Sequence, residues 1–183
     1  MKSVESVSGR IPEPLKVVLC IVFAYLSFLL TMYIDVKPIL DAVFPFKVPF
    51  KILPVLGGFW YVFWISLAYR IAGRWYGLIT AVMIVSFCLI ASPWFGIVKV
   101  SWFSVVGLIS FIALGILTEL VNGGVANVVC VGINWLGYYI AIHRYISPIG
   151  CVVMLVLAFL SGLAGDYAGR GISKFVIRFL KSS

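Results

Sequence analysis

A chain of 183 residues that is 63% hydrophobic and only 11% charged does not match water-soluble domains, in which about a quarter of residues are charged. Dissolved in water it would expose large contiguous apolar faces, so the composition excludes an ordinary soluble protein. Its formal net charge of +8 does not point to nucleic acid, because the basic residues sit in the breaks between apolar runs, where membrane topology accounts for them.

Residues 1–14 are polar and read as a cytoplasmic N-terminal segment. The apolar run that follows reaches Ile34, too long for a signal-peptide core and without a small-residue cleavage site, so 15–34 is predicted as a first membrane span. The next connector, Asp35 to Lys51, is the longest and holds Pro38, Pro45 and Pro49. Its aromatic part from Phe44 to Phe50 cannot be regular helix. A second span is predicted over 52–70, and Arg70 and Arg74 bracket the turn after it. The third, 75–97, ends or kinks near Ser92-Pro93-Trp94. The fourth covers 100–121, Gly123-Gly124 separates it from the fifth at 125–143, and Ser147-Pro148 opens the sixth at 146–166. A hydrocarbon core of about 30 Å needs about 20 apolar residues per helix, so six spans consume nearly the whole chain.

The predicted fold class is therefore all-α: a polytopic bundle of six transmembrane helices over 15–169, with short loops and antiparallel neighbours. A β-barrel is excluded by runs such as Val17–Phe23 and Val152–Leu157, which are apolar on every side and lack period-two alternation. Residues 170–183 read as a basic amphipathic tail. Ile172, Phe175, Val176, Phe179 and Leu180 follow helical spacing, while Lys174, Arg178 and Lys181 point elsewhere. The tail suits anionic lipid, a cytoplasmic partner being the alternative.

Orientation follows the basic residues. Lys2, Arg10, Lys16, Arg70, Arg74, Arg170, Lys174, Arg178 and Lys181 share one side, against Lys37, Lys47, Lys51, Lys99 and Arg144 on the other. Both termini are thus expected in the cytoplasm, in a plasma-membrane protein.

The chain has one histidine and no nucleophile elbow, zinc-protease motif, phosphate-binding loop or dinucleotide fingerprint, so neither an enzyme nor a bound cofactor or metal is expected. Cys20, Cys88, Cys130 and Cys151 fall in separate spans with no paired spacing, as buried small apolar residues do. The candidate ligand site lies among the outer aromatics. Trp60 and Trp64, one turn apart, together with Trp94 and Trp102, are candidate stacking walls for a flat heterocycle; the bland alternative is an interfacial aromatic belt. Asn127, Asn134 and Tyr138 share one face of the fifth span. There they either bond to neighbouring helices or, for Asn134 and Tyr138, orient a polar ligand. His143 and Lys99 complete the set, the lysine for an anionic group. Glu119 and Asp166 lie at cytoplasmic span ends, where Asp166 can pair with Arg170 and Glu119 with Arg70 or Arg74. Ser161, Gly165 and Gly169 recur every four residues and allow close helix contact, with a helix of this chain or of another subunit.

Six short-looped spans with a long first outer connector resemble the substrate-binding S component of an energy-coupling-factor transporter. The text Gly57-Gly58-Phe59-Trp60-Tyr61-Val62-Phe63-Trp64 through Ala68-Tyr69, and Leu117-Thr118-Glu119-Leu120-Val121, is similar to S components associated with thiamine or its hydroxymethylpyrimidine precursor. The resemblance implies a vitamin pocket near the outer face, lidded by the first connector. It also implies a transmembrane coupling subunit and two cytoplasmic ATPases as partners. Where family members often carry A-x-x-x-A in the first span, this chain has Cys20-Ile21-Val22-Phe23-Ala24. A structural or assembly protein of another membrane complex, and a stand-alone small-solute transporter, are the competing readings.

Overall fold

The computed structural model describes residues 11–33, 37–44, 51, 53–91, 102–143 and 147–182. Among them the fold is entirely helical. The helices are α1 (Glu13–Tyr33), α2 (Lys37–Val43), α3 (Gly58–Ala72), α4 (Tyr76–Ala91), α5 (Trp102–Leu120), α6 (Gly123–Ile142) and α7 (Pro148–Ser182), and a wide π-helical turn, Leu53–Gly57, leads into α3. Leu53–Ala72, Gly123–Ala141 and Pro148–Arg178 are each long and apolar enough to cross a membrane, three such stretches among the described residues. Tyr76–Ile90 and Val105–Leu120 are apolar but shorter.

Local chemistry sets the helix ends. Gly73, at φ 113°, terminates α3 and donates its N–H to the Tyr69 carbonyl, a conformation that glycine adopts without strain. Asn122 is extended and its side chain accepts the Val125 N–H at 2.9 Å, capping α6. His143 closes the same helix in the left-handed region, its N–H on the Tyr139 carbonyl at 2.8 Å. Pro148 opens α7, where its missing N–H costs nothing.

The helices depart from the sequence pattern in two places. The first connector contains the short helix α2, with Pro38 in its first turn. The predicted sixth span, 146–166, and the tail beyond it belong to one helix: α7 runs 35 residues without interruption, about 52 Å at 1.5 Å per residue. Beyond Asp166 it stays packed on the bundle, with Ser173 buried and Val176 against Phe63, Leu67 and Ile71.

α3 is the central helix. It packs against α7, α4 and α1, while α1, α4, α5, α6 and α7 follow one another around it. Tyr61, Val62 and Ile65 on one face of α3 join Ile84, Leu114 and Val131 in the main core. The α3–α7 contact is the most extensive. A Cβ at Gly165 would overlap the Phe59 carbonyl, and one at Gly169 would lie 3.0 Å from the Phe63 carbonyl oxygen. The small-residue strip of the last span therefore serves a helix of this chain. Because Gly58 lies beside Ser161 and Ser66 beside Gly169, α3 and α7 run parallel. Away from these contacts the surface is apolar: Val18 and Val22 on α1, Ile109 on α5, Leu136 on α6, and Ile149, Val152, Val156 and Leu160 on α7 are exposed.

Candidate functional site

The described polar groups gather most densely where α3 meets α7. Asp166 is only 2% exposed. Its Oδ1 accepts from Ser66 Oγ at 2.7 Å and from an Arg70 terminal nitrogen at 3.3 Å. Its Oδ2 accepts from an Arg170 terminal nitrogen at 2.8 Å, and Arg170 Nε reaches Oδ1 at 3.4 Å. Arg70 Nε also donates to Ser66 Oγ at 3.1 Å, so the serine links the carboxylate to the guanidinium. The Tyr69 ring lies 4.6 Å from the Arg70 guanidinium and the Tyr167 ring 5.4 Å from that of Arg170. A buried carboxylate carries a desolvation cost of several kcal/mol that only good geometry and full pairing offset; here two cations and a hydroxyl meet it. Four-residue spacing predicts the Asp166–Arg170 pair. It does not predict Ser66 and Arg70 as further partners, although they too are one turn apart, on the neighbouring helix.

Glu119 corrects another expectation. Its carboxylate pairs with neither Arg70 nor Arg74, but accepts the backbone N–H of Trp75 at 2.8 Å and of Leu78 at 3.1 Å. It caps the start of α4 from the end of α5, where a negative charge meets the positive end of the helix dipole. Arg70 is committed to Asp166 and Ser66, and the Arg74 guanidinium lies 4.9 Å from the Trp75 ring. At the same end Glu13 pairs with Lys16 at 2.7 Å and accepts a hydrogen bond from the Tyr76 hydroxyl. The Lys16 ammonium, then the Tyr76 hydroxyl, hold the Glu13 carboxyl below its ordinary range.

The sequence-predicted ligand residues fall into two places. Trp60 and Trp64 pack on each other edge to face, 5.8 Å apart at 81°, with Phe63 4.9 Å and Phe23 of α1 5.4 Å from Trp64. Their indole Nε1 atoms are buried and, among the described residues, have no hydrogen-bond partner, a state that ring faces at this spacing relieve only partly. Asn127 joins α6 to α7, donating to the Ala158 carbonyl at 2.9 Å and to Ser161 Oγ at 3.3 Å; this is the helix-to-helix bond expected of an intramembrane amide. Asn134, buried at 6% exposure, donates instead to the Cys130 carbonyl of its own helix at 2.8 Å. Tyr138 is half-buried one turn further on, and His143 is exposed at the helix end. Trp94 and Lys99 lie outside the described residues, and Trp102 is described only as the first residue of α5.

These groups do not converge on one point. Gly58 is level with Asn127 and Gly123 with Asp166, so α3 runs from Gly58 past Trp64 toward the ion-paired end. α6 runs from Asn127 past Asn134 the other way. At 1.5 Å per residue Trp64 and Asn134 are about 20 Å apart along the bundle. Cys20, Cys88 and Cys130 are buried and unbridged, and Cys151 is half-buried.

Compared with known protein families, curated proteins and solved structures, the chain matches none of them. Fold and polar layout alone define it: an all-helical protein with membrane-capable helices and one end closed by buried and capped charges.

Proposed function

We propose that the chain is a plasma-membrane protein of six spans, α1 and α3 to α7, with both termini cytoplasmic. We further propose that it captures a small aromatic vitamin or precursor, thiamine-related by resemblance, at its outer face. The observation that carries this reading is the contrast between the two ends of the bundle. At the end marked cytoplasmic by its basic residues, Asp166, Glu119 and Glu13 are each engaged by cations, backbone N–H groups or a hydroxyl. Interlocked charges there leave little for a solute to follow. Toward the opposite end α6 carries Asn134 and Tyr138 and is capped by His143, and α5 begins there with Trp102; Trp94 and Lys99 lie between α4 and α5 in the sequence. A solute held there is bound but not passed, so import needs a transmembrane coupling subunit and cytoplasmic ATPases, the partners that the resemblance implies. The chain is then a binding subunit, not an enzyme. Trp60 and Trp64 lie too far along the bundle to share this site and act in helix packing.

The test is to purify the protein, identify co-purifying small molecules by mass spectrometry, and titrate thiamine and its hydroxymethylpyrimidine precursor against intrinsic tryptophan fluorescence. Saturable binding that Asn134→Ala and Tyr138→Phe weaken, and Trp64→Ala does not, supports the capture site. No saturable response, with another membrane polypeptide co-purifying in fixed ratio, favours the assembly reading.

A further inference from the structure

The α3–α7 ion cluster carries more charge than its own pairing consumes. Two guanidiniums face one carboxylate, so the cluster holds one net positive charge. Each guanidinium has five N–H donors; Arg70 and Arg170 each direct only two nitrogens at Asp166 and Ser66. The remaining donors are fixed in place, because Asp166 and Ser66 hold one edge of the cluster and the Tyr69 and Tyr167 rings flank it. Arg170 is 40% exposed and Arg70 18%, so the free edges meet the surroundings. Lys174 and Arg178 continue from Arg170 at successive helical turns. Both are exposed and, among the described residues, neither pairs with a carboxylate. The apolar exposed face of α7, from Ile149 to Leu160, leads directly into this basic stretch.

We infer that Arg70 and Arg170, supported by Lys174 and Arg178, form a binding site for a phosphate monoanion, supplied by the headgroup of an anionic glycerophospholipid. One phosphodiester charge neutralises the cluster. Planar guanidiniums held in register match phosphate oxygens, and acyl chains continuing from that phosphate lie along the apolar face of α7. Basic pockets between helices at a membrane surface take such headgroups, each lysine or arginine contributing about 1 kcal/mol. This site is separate from the proposed capture site and does not depend on it, needing only that the chain be membrane-embedded.

The test uses full-length protein in mild detergent, with native mass spectrometry and melting curves against phosphatidylglycerol, phosphatidylcholine and inorganic phosphate. Phosphatidylglycerol should be retained in preference to phosphatidylcholine and raise the melting temperature. Arg170→Gln should reduce its apparent affinity by about fivefold, the loss expected for one basic contact. Should that variant fail to fold, the double substitution of the exposed pair, Lys174→Gln with Arg178→Gln, should weaken phosphatidylglycerol binding without touching Asp166. Equal retention of both lipids, or phosphatidylglycerol binding unchanged in the variants, overturns the inference. Displacement of phosphatidylglycerol by millimolar inorganic phosphate overturns the lipid source and leaves a free-phosphate site.

Discussion

The two ends of this bundle handle polar groups in opposite ways. Where α3 meets α7, a carboxylate, a hydroxyl and two guanidiniums bind one another across 100 and 96 residues of sequence. At the other end Asn134 satisfies its amide within its own helix, and His143 serves as a helix cap. Asp166 and Ser66, whose bonds join the two helices, cannot be spared for a ligand, whereas groups satisfied locally can turn to one without loosening the fold. The contrast divides polar residues into those that hold the bundle and those free to recognise a solute.

Substitutions that break one end and spare the other test this division. The largest effect is expected from Asp166→Ala, which leaves two arginines without their buried counter-ion. Losing one partner of a buried pair costs about 3–5 kcal/mol, visible as a collapse of the melting temperature in detergent. Gly165→Val comes next. Its side chain overlaps the Phe59 carbonyl, and overpacking of this kind costs about 1–3 kcal/mol, measurable in the same melting curves. Asn134→Ala should barely move the melting temperature but weaken solute binding by about tenfold, the loss of one hydrogen bond of about 1.4 kcal/mol. A large melting shift there, with affinity intact, would erase the distinction between the two ends.

The smallest effect concerns pH. The folded Glu13 carboxyl titrates below its unfolded range. Its stabilising contribution is therefore present above the unfolded carboxylate pKa and is lost as pH falls through the lowered folded value. Because Glu13 is well exposed, the change is small. A melting profile against pH for Glu13→Gln should be flatter than wild type on the acid side only.

Much of this arrangement is legible in the chain. The apolar runs locate α5, α6 and the turn between α3 and α4 to within a few residues, and four-residue spacing identifies Asp166 with Arg170. Asn127 behaves as an amide inside a membrane helix is expected to. What escapes the sequence has one physical cause, that long-range partners leave no local pattern. Ser66 and Arg70 reach Asp166 only because glycines let α3 and α7 lie parallel in close contact. The donors that hold Glu119 are backbone N–H groups, which every residue but proline possesses and which no sequence pattern reveals. The tail looks separable because its composition changes at Arg170, yet helical hydrogen bonding does not stop at a change of composition. Trp60 and Trp64 look like companions of Asn134 because span ends can be aligned on paper, whereas α3 is shifted along the bundle relative to α6.

The uninterrupted α7 has a mechanical meaning. It is about 52 Å long, and the Gly165–Asp166–Gly169 contact with α3 falls near its midpoint. The rod is also packed on both sides of that contact, through Met154 and Ala158 on one arm and Ser173 and Val176 on the other. It therefore works as a splint, holding its apolar arm and its basic arm at one fixed distance and angle.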